Sequence, residues 1–139
     1  MERLIFETDY WDVKLSDDQA YFGRCMVLLK RKCGSLSELT NEEMLDFLDI
    51  IKRYETVFKE KYGATMFNWT CLMNNAYKND PPDPQVHWHC RPRYKKPVMF
   101  EGIEFSDPNF AHHYSREARR VLDEGIREKF INELRTYFA

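Results

Sequence analysis

Near the centre of the chain, the stretch Gln85-Val86-His87-Trp88-His89-Cys90-Arg91-Pro92-Arg93 alternates apolar and polar residues one for one as far as Arg91. A period of two is that of a β-strand, whose successive side chains leave on opposite faces. Val86, Trp88 and Cys90 then point into a core, so the strand must be covered on that side. Gln85, His87, His89 and Arg91 share the other face, with Arg93 continuing the row. Two imidazoles, an amide and one or two guanidiniums on one face suit an anionic ligand and a proton-handling or nucleophilic reaction.

The rest of the chain supplies partners for this strand. Thr65 to Asn74 reads as another strand, with Phe67, Trp69, Cys71 and Met73 on one face and Asn68, Thr70 and Asn74 on the other. The loop of Asn75 to Pro84, rich in proline and aspartate, joins the two strands and predicts antiparallel neighbours, with Asn74 at the loop end near Gln85. The run from Gly23, GRCMVLLKRK, reads as a further strand and Leu4–Phe6 as a short N-terminal element. Asp9 to Gln19 is polar and is expected to form a loop. Thr40-Asn41-Glu42-Glu43 has the capping-box pattern, and Gly63 is placed to end the helix that follows. Met44, Leu48, Ile51, Tyr54 or Glu55, and Phe58 are its expected buried stripe. A last helix is expected from Asp123 as N-cap, burying Ile126, Phe130, Leu134 and Tyr137 or Phe138. Tyr94 to His113 shows little periodicity. These elements predict an α+β fold built on an antiparallel sheet.

At 139 residues the chain fits a single domain over 1–139. A net charge of −2 gives no basic excess of the kind duplex nucleic acid binding requires, so no nucleic acid partner is expected. No apolar run approaches the roughly 20 residues of a membrane span, and acidic residues interrupt the N-terminus where a signal peptide would be apolar. Cys25, Cys33, Cys71 and Cys90 show no CxxC pairing, which fits reduced thiols in a cytoplasmic protein.

Two histidines at i and i+2 on a strand lie about 6.5–7 Å apart. One ring nitrogen can attack a phosphorus atom while its neighbour binds a non-bridging oxygen. The attacking nitrogen must be free, so the other needs an acceptor such as a backbone carbonyl to fix the tautomer. Phosphoryl and nucleotidyl transfer depend mainly on positioning and charge stabilisation, for which Gln85, His89, Asn74 and Arg91 are the candidate donors. A competing reading is a three-ligand zinc site of His87, His89 and one of His112, His113 or a cysteine. Trp11, Trp69 and Trp88 read as core residues, although Tyr10 and Trp11 are also the loop aromatics best placed to meet a base. Arg91 and Arg93 could contact phosphate or pair with carboxylates at a dimer interface.

The stretch from Gln85 to Arg93 resembles the signature of the histidine triad family, His-φ-His-φ-His-φ-φ followed in many members by Pro-Arg. Alignment on Pro92-Arg93 puts His89 on the third histidine and His87 on the second, the family's nucleophile. Gln85 takes the first place, as in a subgroup that reads Gln-φ-His-φ-His. Phe22 to Arg31 resembles a family strand, Leu36 to Glu43 its loop and helix start, and Asn74 falls where a polar phosphate or ribose contact is placed. The likeness runs from about residue 9 to 93, leaving 94–139 as a loosely matched extension.

The resemblance implies a sheet of about five antiparallel strands with flanking helices, and a homodimer. It also implies a hydrolase or transferase acting on the α-phosphate of a dinucleoside polyphosphate, phosphoramidate or similar adenylate. In that mechanism His87 attacks the α-phosphorus, His89 binds its oxygen, and Gln85 donates to the phosphate or leaving group. No metal or other cofactor is required. The replacement of the first histidine by Gln85 also admits a second reading, a nucleotide-binding or regulatory module with little turnover. In another register His87 and His89 are the first two histidines, Arg91 takes the third place and His89 is the nucleophile.

Overall fold

The computed structural model describes residues 3–139; Met1 and Glu2, the first residues of the expected domain, lie outside it. Five antiparallel strands form one sheet in the order β1-β2-β3-β5-β4. They are β1 (Leu4–Glu7), β2 (Trp11–Leu15), β3 (Cys25–Leu29), β4 (Met66–Thr70) and β5 (His87–Arg93). Two helices, α1 (Asn41–Tyr62) and α2 (Glu124–Phe138), and a small hairpin of β6 (Val98–Phe100) and β7 (Ile103–Phe105) complete the fold. No helix among the described residues is long and apolar enough to cross a membrane.

The expected loop at Asp9–Gln19 contains β2. Trp11, Val13 and Leu15 are buried and alternate with Asp12 and Lys14, so the polar residues that suggested a loop are the outer face of a strand. Trp11 is wholly buried, and its Nε1 donates to the Glu43 carbonyl at 2.9 Å. It therefore belongs to the core and not to a base-binding loop. The expected strand through Asn74 stops at Thr70, and Asn74 opens a short 3-10 turn.

One side of the sheet carries the core. Its back face presents Trp11, Val13, Cys25, Val27 and Cys90 to Phe47, Ile50, Tyr54 and Phe58 of α1. Phe47 stacks on Trp88 with ring centroids 4.7 Å apart. α2 packs on the same side, with Phe130 stacked on Phe22 at 4.4 Å and Phe138 on Phe6 at 4.6 Å. Fully burying such a side chain contributes about 1.5–3 kcal/mol. With both helices behind the sheet, the front face of β5 is left to the site.

The start and stop of α1 follow the sequence. Thr40 Oγ1 accepts from the Glu43 N–H at 3.1 Å, the Glu43 carboxylate accepts from the Thr40 N–H at 2.8 Å, and Gly63 ends the helix at φ 78°. Tyr54 and Phe58 are buried as expected, but the first half of the helix's stripe is shifted from the expected one. Phe47 and Ile50 face the sheet, while Met44, Leu45 and Leu48 are exposed beside Trp69 and Trp88. The helix has two adjoining apolar faces, and the bulkier, more aromatic one fills the core. In α2, Asp123 caps the Ile126 N–H as expected, and Phe138, not Tyr137, completes the buried row.

Gly23 holds the entry to β3. Its φ is 89°, and a Cβ there would stand 2.1 Å from the Phe58 ring, so glycine is required twice over. The Tyr54 hydroxyl donates to its carbonyl at 2.6 Å and fixes the turn that delivers Arg24 to the front of the sheet.

Candidate functional site

β5 lies between β3 and β4, so its histidines are held by hydrogen-bond ladders on both sides. Met26 of β3 and Thr70 of β4 stand opposite His89, and Leu28 stands opposite His87. The two imidazole centroids are 5.1 Å apart and their planes nearly perpendicular, at 79°. His87 Nδ1 is 2.8 Å from the Gln85 carbonyl oxygen. A carbonyl can only accept, so Nδ1 carries the proton and donates, which leaves Nε2 of the neutral ring with a free lone pair.

His89 sits in a different field. Burial chiefly, then the charges of Arg24, His87 and Arg91, pull its pKa down to about 4. It is therefore neutral at pH 7 and offers a ring N–H rather than a charge. These two imidazoles border a cleft of about 340 Å³, large enough for a nucleotide-sized ligand. Toward the start of β5 the cleft wall is uncharged, with Leu72, Met73, Asn74, Asn75 and Ala76. At the opposite end the wall is basic, with Arg24, Arg91, Arg116 and Arg119. The Arg91 guanidinium lies 3.8 Å above the Tyr114 ring, a stacked position that leaves its hydrogen-bonding edge unspent.

Of the expected site residues, His87, His89, Asn74 and Arg91 meet in this cleft. Gln85 borders it, but its side chain is engaged elsewhere. Its Oε1 accepts from the Cys33 N–H at 3.0 Å, and its Nε2 donates to the carbonyls of Leu29 at 3.0 Å and Arg31 at 2.7 Å. Both amide hydrogens are used, so the expectation that Gln85 donates to a phosphate or leaving group is corrected. Gln85 precedes the strand and clamps the end of β3 to it, while its backbone carbonyl sets the His87 tautomer.

Arg93 is corrected as a substrate contact in the same way. It is fully buried, with Nε 2.6 Å from Asp107 Oδ2 and further bonds to Asn68 Oδ1 and to the carbonyls of Asn109 and His112. Its role is to rivet the segment after β7 onto the sheet. Tyr10 is exposed and does not line the cleft.

Arg24, Thr70, Tyr114, Arg116 and Arg119 are site residues that the sequence reading passed over. For Thr70 a signal existed in its face of the strand. Tyr114 to Arg119 lie in a stretch without periodicity, and nothing local marks their approach to β5. The zinc alternative lacks a ligand set, since among the described residues no three His, Cys, Asp or Glu side chains are grouped to hold a metal ion.

No family model matches the sequence, and no curated protein matches it. Solved structures do match. A histidine triad protein from Sinorhizobium meliloti superposes with a TM-score of 0.73 at 16% identity, covering 97% of this chain and 88% of that one. One from Bradyrhizobium japonicum gives 0.71 at 18% identity, with 98% and 90% covered. The fold is that of the histidine triad proteins. A hypothetical histidine triad nucleotide-binding protein from Sulfolobus tokodaii shares it with a TM-score of 0.64 at 14% identity, over 97% of this chain and 82% of that one. In this histidine triad fold the strand that carries His87 and His89 is internal to the sheet, and its two imidazoles open onto the cleft.

Proposed function

We propose that this chain is a single-domain nucleotide hydrolase or transferase, acting on the α-phosphate of a nucleoside phosphoanhydride or phosphoramidate. The reaction runs through a nucleotidyl-histidine on His87. The observation that carries this reading is the 2.8 Å bond from His87 Nδ1 to the Gln85 carbonyl, which presents Nε2 as the nucleophile beside His89. Nε2 forms a bond to phosphorus, and the leaving group departs with the electron pair of the P–O or P–N bond and, for an amine, a proton taken from solvent. Water then attacks phosphorus, the N–P electron pair returns to Nε2, and the water proton passes to solvent. An acceptor alcohol or phosphate in place of water gives transfer.

His89 binds a non-bridging oxygen of the attacked phosphate through its ring N–H, and Arg91, further along the same face, contacts substrate phosphate. Asn74 contacts phosphate or ribose from the uncharged end of the cleft. A nucleotide is the ligand class carried by the Sulfolobus tokodaii neighbour's name, and the cleft chemistry supports the same class here. Loss of turnover of an adenylate or dinucleoside polyphosphate in His87→Ala, with folding retained, tests the assignment; full activity in that variant would sink it.

One observation favours a second reading. An amide has no titratable proton to give, and with Gln85 committed to the backbone no side chain at the first histidine's place can even donate a hydrogen bond to the leaving group. A slow enzyme, or a module that binds nucleotide and barely turns it over, would follow. Tight AMP binding without turnover across phosphoanhydrides and phosphoramidates would select it.

A cytoplasmic homodimer is part of the proposal. Its support is the exposed Met44, Leu45 and Leu48 beside the open edge of β4, a surface a second copy would cover. Sedimentation should show a dimer that Leu48→Glu converts to monomer, and a monomeric wild type would refute it.

A further inference from the structure

The basic end of the cleft holds more positive charge than one phosphate at His87 and His89 uses. Arg24, Arg91, Arg116 and Arg119 line it against a single carboxylate, Asp18. That carboxylate is already occupied. Its Oδ1 accepts from the N–H groups of Ala20 and Arg120, and its Oδ2 from Arg24 at 3.3 Å. Arg24 Nε is buried with no partner. Among the described residues, Arg91, Arg116 and Arg119 make no side-chain hydrogen bond or ion pair, and Arg91 has only the Tyr114 ring beneath it. Burial, then the nearby Arg24, hold the Arg91 pKa below its usual value. Arg91 is buried and Arg24 half-buried, while Arg116 and Arg119 reach in from the exposed rim; like charges gathered there repel, and a bound anion relieves them.

The segment that brings Arg116 and Arg119 is fastened on both sides. Before them, Arg93 holds the carbonyls of Asn109 and His112, and the Tyr21 hydroxyl accepts from the Ser115 N–H at 2.6 Å. After them, Asp18 bonds the Arg120 N–H, and the Arg120 carbonyl accepts from the Gln19 N–H at 2.7 Å. The chain between is thus a fixed arm over the cleft and not a free loop. Cys25 pairs with Cys90, so Arg24 and Arg91 stand one step past His89 along the sheet. His89 and Arg91, two residues apart on one face, are separated by about 6.5–7 Å.

We infer that Arg24, Arg91, Arg116 and Arg119 form a subsite for a second phosphate of the substrate, distinct from the phosphate attacked by His87. The inference rests on the reading of His87 and His89 as the α-phosphate site. The second phosphate belongs either to the continuing phosphoanhydride chain or to the ribose of the same nucleotide. Both present anionic phosphoryl oxygens to the guanidiniums, whose planar forks match them.

Calorimetric binding of AMP, ADP and adenosine 3′,5′-bisphosphate to the wild-type chain separates the two sources. At least one of the two bisphosphorylated ligands should bind tenfold or more tighter than AMP; ADP doing so assigns the chain, the bisphosphate the ribose. A smaller gain for both overturns the inference. In Arg116→Ala/Arg119→Ala the gain should fall at least threefold, and a smaller fall also overturns it. Lys95→Ala/Lys96→Ala removes the same charge from an exposed turn, and an equal fall there would mean general attraction only, contradicting a built subsite. These measurements need no turnover. If every substrate is inert while the gain persists, the catalytic reading fails and the subsite stands; if turnover depends on His87 and the gain is absent, the subsite fails alone.

Discussion

Arg91 and Arg93 stand two residues apart on the same face of β5, yet they do opposite work. Arg93 is surrounded by acceptors, a carboxylate, an amide oxygen and two carbonyls, and is sealed beneath the segment that follows β7. Arg91 lies on an aromatic ring with no acceptor of its own. The strand makes the two positions equivalent. What differs is the chain that arrives later: Asp107 and Asn109 reach Arg93, whereas Tyr114 reaches Arg91. A guanidinium with its acceptors supplied by the protein is structure, and one left without them is available to a ligand.

Removing each arginine should separate stability from binding. Arg93→Ala leaves the buried Asp107 carboxylate unpaired and should cost about 3–5 kcal/mol in denaturant unfolding. Arg91→Ala should cost only about 2 kcal/mol and instead weaken nucleotide binding, read by calorimetry. Equal destabilisation by both would erase the distinction. The same logic applies to Gln85, a polar residue whose acceptors and donor come from the protein. Gln85→His replaces an amide that makes three bonds to backbone groups, and should destabilise by about 1–3 kcal/mol without accelerating turnover. A faster and equally stable Gln85→His variant would return position 85 to the catalytic machinery.

A pH-dependent effect concerns His89, which belongs with Arg91 on the ligand side. Its folded pKa of about 4 lies below the ordinary value of about 6.5, so the unfolded chain binds a proton there that the folded one refuses. Its contribution to stability is therefore intact above pH 6.5 and is lost as pH falls toward 4, by at most about 1.4 kcal/mol per pH unit. Unfolding free energies of wild type and His89→Gln should diverge in that window. Parallel curves would show that His89 is not held neutral.

Features written in local sequence were legible. The alternation through β5 placed His87, His89 and Arg91 on one face, and Thr40 with Glu43 marked the start of α1. The five-stranded antiparallel sheet followed from those patterns together with the family resemblance. Features decided by distant partners were not. The bonds that consume Gln85 come from residues 52 to 56 positions away, and those of Arg93 from 14 to 25 away. Tyr54 and Phe58 were read correctly in α1, but its first half was misjudged because Met44 and Leu48 form an apolar row beside Phe47 and Ile50. β2 was passed over because Asp12 and Lys14 masked the alternation of Trp11, Val13 and Leu15. Arg116 and Arg119 sit in a segment with no periodicity, placed by anchors at both ends.

The central claim, that His87 Nε2 takes the nucleotidyl group, is tested most directly by trapping. Wild-type protein mixed with an adenylate and quenched in base should carry one nucleotidyl group on His87 itself, located by fragmenting the peptide that holds both histidines, and His87→Ala should lose both the adduct and turnover, by roughly 10³-fold or more. An adduct on His89 instead, or undiminished turnover in His87→Ala, would contradict it.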